Sequence, residues 1–235
     1  MKTNRELITH VDPKAPVSEA FRTLRTNIQF MNSKKDLKTI LITSTVPGEG
    51  KSLVAANLAI TFAQAGKKVA LIDADMRKGR LHKIFSVDNE VGLSNYLFNV
   101  SIDNKKIDSI FEYLQPTIDN LNLITCGDFP PNPSELLSSE YTEQMIEKLK
   151  EKFDIIIFDS TPSILVTDAM ILARLVDTTL IIAASNKTKK DDLVKVKRNL
   201  ESVGASIAGV VLNKVQMNSK EYSKSYYYGR DSKEE

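Results

Sequence analysis

The sequence predicts an α/β fold in which a doubly wound, mostly parallel sheet carries helices on both faces. Short aliphatic runs alternate along the chain with longer amphipathic segments, which is typical of strand–helix–strand units. The aliphatic runs are apolar throughout, as expected for strands that are covered on both faces. The 235 residues are enough for one domain of this class with a tail. Ligands of such sheets lie at the carboxyl ends of the strands, so functional residues are expected at those positions.

The predicted strands are rich in β-branched and aliphatic residues. They are Thr39 to Ser44, Lys68 to Asp73, Leu121 to Thr125, Asp154 to Asp159, Thr179 to Ala184 and Ile207 to Asn213. The predicted helices show apolar residues at helical spacing, and glycine follows two of them as a stop signal. They are Val17 to Met31, Lys51 to Ala65, Ser134 to Phe153 and Asp191 to Val203.

The chain divides into three predicted parts. Residues 1–16 form an N-terminal extension and residues 17–214 form the folded domain. Residues 215–235 have almost no aliphatic side chains, so we predict a disordered tail that cannot bury enough surface to fold.

Composition excludes several classes of protein. The formal net charge of +2 gives no indication of a nucleic-acid partner, and we expect none. No window approaches the roughly 20 apolar residues of a membrane span, so we expect a cytoplasmic protein. The single cysteine, Cys126, is interpreted as a buried structural thiol, and His10 and His82 receive no role because neither has a partner at metal-ligand spacing.

A phosphate-binding loop is predicted from Ser44 to Ser52, with the sequence STVPGEGKS, between a strand and a helix. Lys51 would contact the β- and γ-phosphates, and the Ser52 hydroxyl would ligate Mg²⁺. Thr45 replaces the first glycine of the usual pattern. A chance tripeptide in an ordinary turn is the alternative, and the flanking strand and helix argue against it. The predicted nucleotide-binding residues are Pro47, Gly48, Glu49, Gly50, Lys51, Ser52 and Leu53.

Carboxylates end two further strands. Asp73 and Asp75 follow one apolar run and face the same phosphate site if the chain stays extended. Asp159 ends another, where a carboxylate typically binds Mg²⁺ or its water. We predict Lys51, Asp73 and Asp75 as catalytic and Ser52, Asp73 and Asp159 as metal-binding. Turn formation or helix capping is the alternative for each acidic motif alone.

The predicted tail holds four of the seven tyrosines of the chain, and in a segment that cannot fold these rings have no packing role. The predicted phosphorylation sites are Tyr222, Tyr226, Tyr227 and Tyr228. A compositional bias of the tail is the alternative explanation.

Together these motifs resemble those of the bacterial tyrosine kinases, specifically the separate cytoplasmic kinase subunits of capsule and exopolysaccharide synthesis. The resemblance rests on TxxPGEGKS, LIDADMR, IIIFDSTP, SEAFRTLRTNI and the tyrosine cluster, from about Ser18 onwards. It implies Mg²⁺ and ATP as cofactors. It also implies that Asp73 is the base or orienter of the attacking tyrosine hydroxyl, that Asp75 supports the metal site and that Asp159 completes it.

The family also uses an ExxRxxR motif in subunit contact, and this chain matches it with Glu19, Arg22 and Arg25. The family has a segment like PPNPSELL as well, which corresponds to Pro130 to Leu137 here. Without the resemblance, Glu19 and Arg22 are a surface pair three residues apart. Two positions depart from the family pattern. Ser-Thr-Pro follows Asp159 where Thr-Pro-Pro is more usual, and Gly79 stands where proline is common.

The predicted function is therefore tyrosine autophosphorylation between subunits of a homo-oligomer, which regulates polysaccharide synthesis or export. The implied partners are the cytoplasmic end of a transmembrane adaptor at the inner face of the membrane, protein tyrosine substrates and a counteracting tyrosine phosphatase. Two alternatives stay open. One is a partition or division-site ATPase. That group has a lysine at the position that Val46 occupies in this chain, which argues against this alternative. The other is a nucleotide-controlled scaffold without activity.

Overall fold

The computed structural model describes residues 5–32, 37–103 and 107–216. One sheet of seven strands runs through them, in the order β3-β4-β2-β5-β1-β6-β7. Neighbouring strands are parallel except β3 and β4. The strands are β1 Thr39–Ser44, β2 Val69–Asp73, β3 Gln115–Ile118, β4 Leu121–Ile124, β5 Ile155–Asp159, β6 Thr178–Ala184 and β7 Ile207–Asn213.

Helices cover both faces of this sheet, which confirms the predicted fold class. The helices are α1 Ile8–Val11, α2 Pro16–Asn32, α3 Lys51–Gln64, α4 Leu81–Phe85, α5 Leu93–Asp103, α6 Pro133–Ser138, α7 Glu140–Lys152, α8 Asp168–Leu175 and α9 Lys190–Ser202, with a 3₁₀ helix at Ile107–Tyr113. One apolar core lies between the sheet and α1 to α4, and the other lies between the sheet and α5 to α9.

Every predicted strand is present within two residues of its predicted bounds. Strand β3 was not predicted, because its sequence QPTI has no apolar run and its side chains are partly exposed. The expectation that all strands are covered on both faces is wrong for β7. Val210 and Leu212 are exposed on this strand, because β7 forms an edge of the sheet.

The single helix predicted from Ser134 to Phe153 is two helices, α6 and α7. Ser139 separates them in an extended conformation, with φ −68° and ψ 153°. Its hydroxyl donates a hydrogen bond to the carbonyl of Leu136 over 2.7 Å, which satisfies one of the free carbonyls at the end of α6. The apolar spacing continues across the break, so it gave no sign of Ser139.

Part of the predicted N-terminal extension contacts the domain. Thr9, in α1, is fully buried, and its backbone N–H and its hydroxyl both donate to the side-chain oxygen of Asn57 in α3. Within residues 5–32, 37–103 and 107–216, no helix is both long enough and apolar enough to cross a membrane. The four predicted phosphorylation sites, Tyr222 and Tyr226 to Tyr228, lie outside the described residues.

Candidate active site

The register of three central strands brings two predicted carboxylates together. Asp73 at the end of β2 is paired with Asp159 at the end of β5, and Asp159 is paired with Ile42 of β1. The loop from Ser44 to Gly50 leaves β1 at the same edge of the sheet. The carboxyl ends of β1, β2 and β5 therefore form one site, as expected for a doubly wound sheet.

Two glycines give the phosphate loop its shape. Gly48 and Gly50 have φ of +81° and +99°, a region that side chains other than glycine rarely adopt. A Cβ atom at position 50 would also lie 2.2 Å from the side-chain nitrogen of Asn213. Lys51 begins α3, so the loop leads directly into a helix N-terminus, where backbone N–H groups favour anions.

The side chain of Glu49 points into the protein and holds the loop in place. It is fully buried and accepts hydrogen bonds from the N–H groups of Thr45 and Val46, at 2.7 and 3.0 Å. The hydroxyl of Thr45 donates to the same carboxylate over 2.7 Å, and the hydroxyl of Thr188 donates to it as well. The threonine in place of the usual first glycine is therefore part of this hydrogen-bond network.

Residues at or just beyond the carboxyl ends of β6 and β7 contact the phosphate loop from outside. The Lys187 ammonium donates to the carbonyl of Pro47, Asn213 donates to that of Glu49, and the Lys214 ammonium donates to that of Gly48, over 3.2, 2.8 and 2.7 Å. None of these residues was predicted as a site residue. Their position at the carboxyl ends of the last two strands of a parallel sheet was the available signal.

Lys51 points to the predicted carboxylates. Its Nζ atom lies 2.8 Å from Oδ2 of Asp75 and 3.5 Å from Oδ1 of Asp159. Burial alone would lower the pKa of Lys51, but the charges of Asp159, Asp75 and Asp73 outweigh burial and raise it. The lysine therefore stays protonated and can give up its carboxylate partners for phosphate oxygens.

Asp73 and Asp159 are both fully buried. Asp73 accepts hydrogen bonds from the backbone N–H groups of Leu81, at 2.9 Å, and Asp75, at 3.3 Å. Burial, reinforced by Asp159, raises the pKa of Asp73 to about 8. Burial also raises the pKa of Asp159, although Lys51 and Ser52 act in the opposite direction.

These carboxylates fit a divalent cation. The ammonium of Lys51 contacts two of them, Asp75 and Asp159, and Oδ2 of Asp159 is buried with no hydrogen-bond partner among the described residues. Further positive charge at this point would favour the ionised forms of Asp73 and Asp159. Carboxylate and hydroxyl oxygens are the ligands that Mg²⁺ prefers, so Asp159 and Ser52 are suited to hold it.

Arg77 extends the site to the segment that matches the family's PPNPSELL. Its guanidinium donates two hydrogen bonds to the buried carboxylate of Asp168, over 2.8 and 3.0 Å, and a third to the hydroxyl of Ser134. Burial would raise the pKa of Asp168, but the bonds from Arg77 and Ser134 lower it. Asp168 was not predicted as a site residue, because it is separated from Arg77 by 91 positions and lies at a helix start rather than a strand end.

A cavity of about 450 Å³ opens above the phosphate loop. Its lining includes residues of the phosphate loop and of the segments around it: Pro47, Gly48, Gly50, Lys51, Ser52, Leu53, Asp75, Arg77, Thr161, Pro162 and Lys214. Of the predicted catalytic carboxylates, Asp75 lies at the wall of the cavity and Asp73 lies behind it. The volume is in the range of small-molecule sites.

The predicted oligomer residues lie on α2, away from this cavity. Arg22 forms an ion pair with Glu19 at 2.6 Å and also donates to the carbonyl of Pro13. Arg25 donates to the carbonyl of Thr61 in α3 over 2.8 Å. Within one chain, the pair of Glu19 and Arg22 thus has the geometry of the surface-pair alternative.

The chain is similar to known proteins in both sequence and structure. Residues 37–208 match the model of a family described as AAA domain. The chain is 41% identical to the putative tyrosine-protein kinase CapB of Staphylococcus aureus, over 96% of each chain. It is 39% identical to the tyrosine-protein kinase YwqD of Bacillus subtilis, over 97% of this chain and 92% of that protein. The structure matches the kinase domain of the Escherichia coli tyrosine kinase ETK with a TM-score of 0.83 and 32% identity, over 91% of this chain and 82% of that one.

Proposed function

The chain belongs to the family of bacterial tyrosine kinases, and we propose that it is an ATP-dependent tyrosine kinase that phosphorylates the tyrosine cluster of its own C-terminal segment. The observation that carries this proposal is the contact of Lys51, in the phosphate loop, with the strand-end carboxylates Asp75 and Asp159. Phosphoryl transfer depends mainly on positioning and on neutralisation of charge. A lysine and a group of carboxylates at one cavity provide both.

The nucleotide would bind in the cavity with its phosphates on the loop from Pro47 to Leu53. The backbone N–H groups at the start of α3 and the ammonium of Lys51 would hold the β- and γ-phosphates. We assign Ser52 and Asp159 to Mg²⁺, with Asp73 adding negative charge behind them. When bound, Mg²⁺ neutralises charge on the transferring phosphoryl group.

The acceptor tyrosine would approach from the open side of the cavity. Asp75 lies at the wall of the cavity, so it is better placed than Asp73 to accept the hydrogen bond of the incoming hydroxyl. Asp73 accepts the N–H of Asp75 and of Leu81, and it therefore fixes the position of Asp75. This exchanges the roles that the resemblance implies for the two residues. We assign the acceptor role to Tyr222, Tyr226, Tyr227 and Tyr228.

We further propose a homo-oligomer, with Glu19, Arg22 and Arg25 at its contacts, that works at the inner face of the membrane with a transmembrane adaptor. Exchange of partners is possible for Glu19, whose side chain is 68% exposed while it pairs with Arg22. A tyrosine phosphatase would reverse the modification, and the regulated process would be the synthesis of a surface polysaccharide. Light scattering over a range of protein concentrations checks the oligomer, and an unchanging monomer mass contradicts it.

Replacement of Lys51 tests the proposed activity. We expect Lys51→Met to abolish incorporation of label from γ-labelled ATP and Mg²⁺ into the chain, because the charge that faces the phosphates is lost. The matched control is Lys67→Met, an exposed lysine just beyond α3, which should be labelled like the unmodified chain. Phosphosite mapping should place the label on the four tail tyrosines. Labelling of Lys51→Met at the normal rate contradicts the proposal, and nucleotide binding without any label in the unmodified chain favours the scaffold alternative.

A further inference from the structure

Three potential metal ligands of different chemical types meet behind the cavity. A carboxylate oxygen of Asp73, an imidazole nitrogen of His82 and the sulfur of Cys126 all lie within 4.8 Å of one another. They come from the end of β2, from α4 and from the residue that follows Thr125 after β4. Because β2 and β4 are parallel neighbours, their carboxyl ends lie side by side. The fold thus gives His82 the metal-ligand partners that the sequence spacing did not indicate.

One ring nitrogen of His82 lacks a hydrogen-bond partner among the described residues. This nitrogen, Nδ1, is buried. A buried polar atom without a partner costs free energy, so it is uncommon unless a ligand or an ion satisfies it. The thiol of Cys126 is fully buried and donates weakly to the side-chain oxygen of Asn89 over 3.3 Å.

Gly79 makes room for this cluster. A Cβ atom at this position would lie 2.4 Å from the sulfur of Cys126 and 2.9 Å from Oδ2 of Asp73. Both distances are too short for any other residue to fit without movement of the cluster. Glycine at position 79 and the thiol of Cys126 are therefore sterically linked.

We propose that Asp73, His82 and Cys126 form a site for Zn²⁺ or a similar thiophilic cation, separate from the Mg²⁺ site, and that its occupation inhibits the kinase. Sulfur and imidazole ligands favour Zn²⁺, whereas Mg²⁺ takes oxygen ligands. Binding replaces the S–H bond of Cys126 by a bond between sulfur and metal, and the proton leaves to water. Three protein ligands leave one tetrahedral position for water.

The inhibition follows from the position of Asp73 between the two sites. This carboxylate is paired in register with Asp159 and accepts the N–H of Asp75. Coordination on the side of His82 and Cys126 would withdraw its charge from the Mg²⁺ site and shift Asp75. This part of the inference rests on the proposed function, whereas binding of the cation does not.

Cobalt titration of the purified, reduced full chain tests the binding. Co²⁺ added in the presence of excess Mg²⁺ should give a thiolate-to-cobalt absorption band that saturates at one equivalent and that Zn²⁺ removes. Cys126 is the single cysteine of the chain, so the band reports on this site alone. Absence of the band in the unmodified chain overturns the proposal without the use of any variant.

Variants then test the ligands. Cys126→Ser should lose the band. Loss of a group that only supports a metal ligand lowers metal affinity by roughly 10- to 100-fold. Loss of a ligand itself costs more, so His82→Asn should weaken binding by more than this. His10→Asn replaces the other histidine of the chain, which is exposed on α1, and should bind like the unmodified chain. Unchanged affinity in His82→Asn would mean adventitious binding to the thiol and would contradict the site.

Phosphorylation assays test the inhibition separately. At constant Mg²⁺ and ATP, Zn²⁺ should reduce label incorporation in the unmodified chain and in His10→Asn, and Cys126→Ser should resist it. If Zn²⁺ binds but inhibits Cys126→Ser equally, the inhibitory role is wrong. If the unmodified chain takes up no label even without Zn²⁺, the proposed function fails while the cobalt result still decides the metal site.

Discussion

Glu49 shows how one buried residue fixes the shape of the phosphate loop. Three of its hydrogen bonds come from Thr45 and Val46, within the loop, and the fourth comes from Thr188. The loop is therefore held in its shape before any nucleotide arrives. Preorganisation of this kind reduces the cost of binding.

Glu49→Gln should loosen this loop. The amide nitrogen cannot accept a hydrogen bond, so at least one donor among Thr45, Val46 and Thr188 loses its partner at a cost of about 1–3 kcal/mol. We expect a lower free energy of unfolding in urea and weaker binding of a fluorescent ATP analogue. Glu90→Gln, an exposed position, is the control. Equal nucleotide affinity in both variants would show that the network does not shape the loop.

Asp177 fixes the start of β1, at the edge of the sheet that lies opposite the phosphate loop. Its Oδ2 atom accepts the N–H groups of Lys38 and Thr39, each over 2.8 Å. Burial alone would raise the pKa of this carboxyl, but these two hydrogen bonds lower it more. The ionised form therefore stabilises the folded chain.

Asp177→Ala should lower the free energy of unfolding at pH 7 by about 1–3 kcal/mol, since two backbone donors lose their acceptor. Because the pKa of Asp177 is lower in the folded than in the unfolded chain, its contribution is complete above about pH 4 and disappears as the pH falls through the folded-state pKa. Urea unfolding at several pH values measures this. The difference between the variant and the unmodified chain should shrink in acid, and a difference that grows there would contradict the assignment.

The residues that lie next to strand ends in the sequence were predictable, and those that reach the site from elsewhere were not. Lys51, Asp73, Asp75 and Asp159 follow apolar runs, and the topology brings such positions together. Asp168 begins α8, and its contact with Arg77 depends on how α8 packs. His82 and Cys126 meet because β2 and β4 are neighbours, an order that local patterns do not specify.

Among the elements, α2 packs against α3 with one apolar face. Phe21 and Ile28 are buried in the core on the α3 side of the sheet, whereas Met31 is 44% exposed. The period of the apolar residues predicted this helix within one residue at each end. The buried face of the helix thus fixes where Glu19, Arg22 and Arg25 stand.

Ile28→Ala should cost about 2–5 kcal/mol of stability, because it leaves a cavity between α2 and α3. Met31→Ala should change stability by less than about 0.5 kcal/mol, because that side chain is at the surface. Urea denaturation at low protein concentration measures both without a contribution from self-association. A similar loss in the two variants would mean that α2 is not packed as described.

Element bounds were predictable where an apolar pattern was strong. Strands β1, β2 and β5 and helix α3 meet that condition, since nearly every side chain in them is buried. The pattern does not reveal Ser139, where the backbone turns extended while the spacing continues. It also does not reveal that β7 lies at an edge, because a strand's neighbours depend on the path of the whole chain.

At the scale of the whole molecule, the last described strand leads out beside the nucleotide cavity. Lys214 contacts the phosphate loop, and Tyr226 to Tyr228 lie 13 to 15 residues beyond Asn213. Extended chain of that length spans roughly 45 Å. This reach permits transfer within a chain or between chains. In an oligomer, a tethered segment meets the neighbouring site at an effective concentration near the millimolar range.

Mixing two defective chains distinguishes these routes. One partner is Lys51→Met, which keeps its tyrosines, and the other is an active chain truncated after Met217. We expect label from γ-labelled ATP on the Lys51→Met chain, because the truncated chain would act on a neighbour. A Lys51→Met chain whose four tail tyrosines are phenylalanine is the control and should remain unlabelled. Label on neither chain would indicate that transfer occurs only within one molecule.

The separation of the two edges of the sheet has a practical consequence for engineering. Every residue assigned to chemistry lies at or beyond the carboxyl ends of the strands, whereas the exposed turns at Gly66–Lys68, Asp119–Asn120 and Gly204–Ser206 lie at the opposite edge. A Cβ atom at Gly204 would meet nothing within 4 Å. A fluorescent domain or an affinity handle inserted at these turns should therefore leave turnover intact. The same insertion between Lys187 and Thr188 should abolish it.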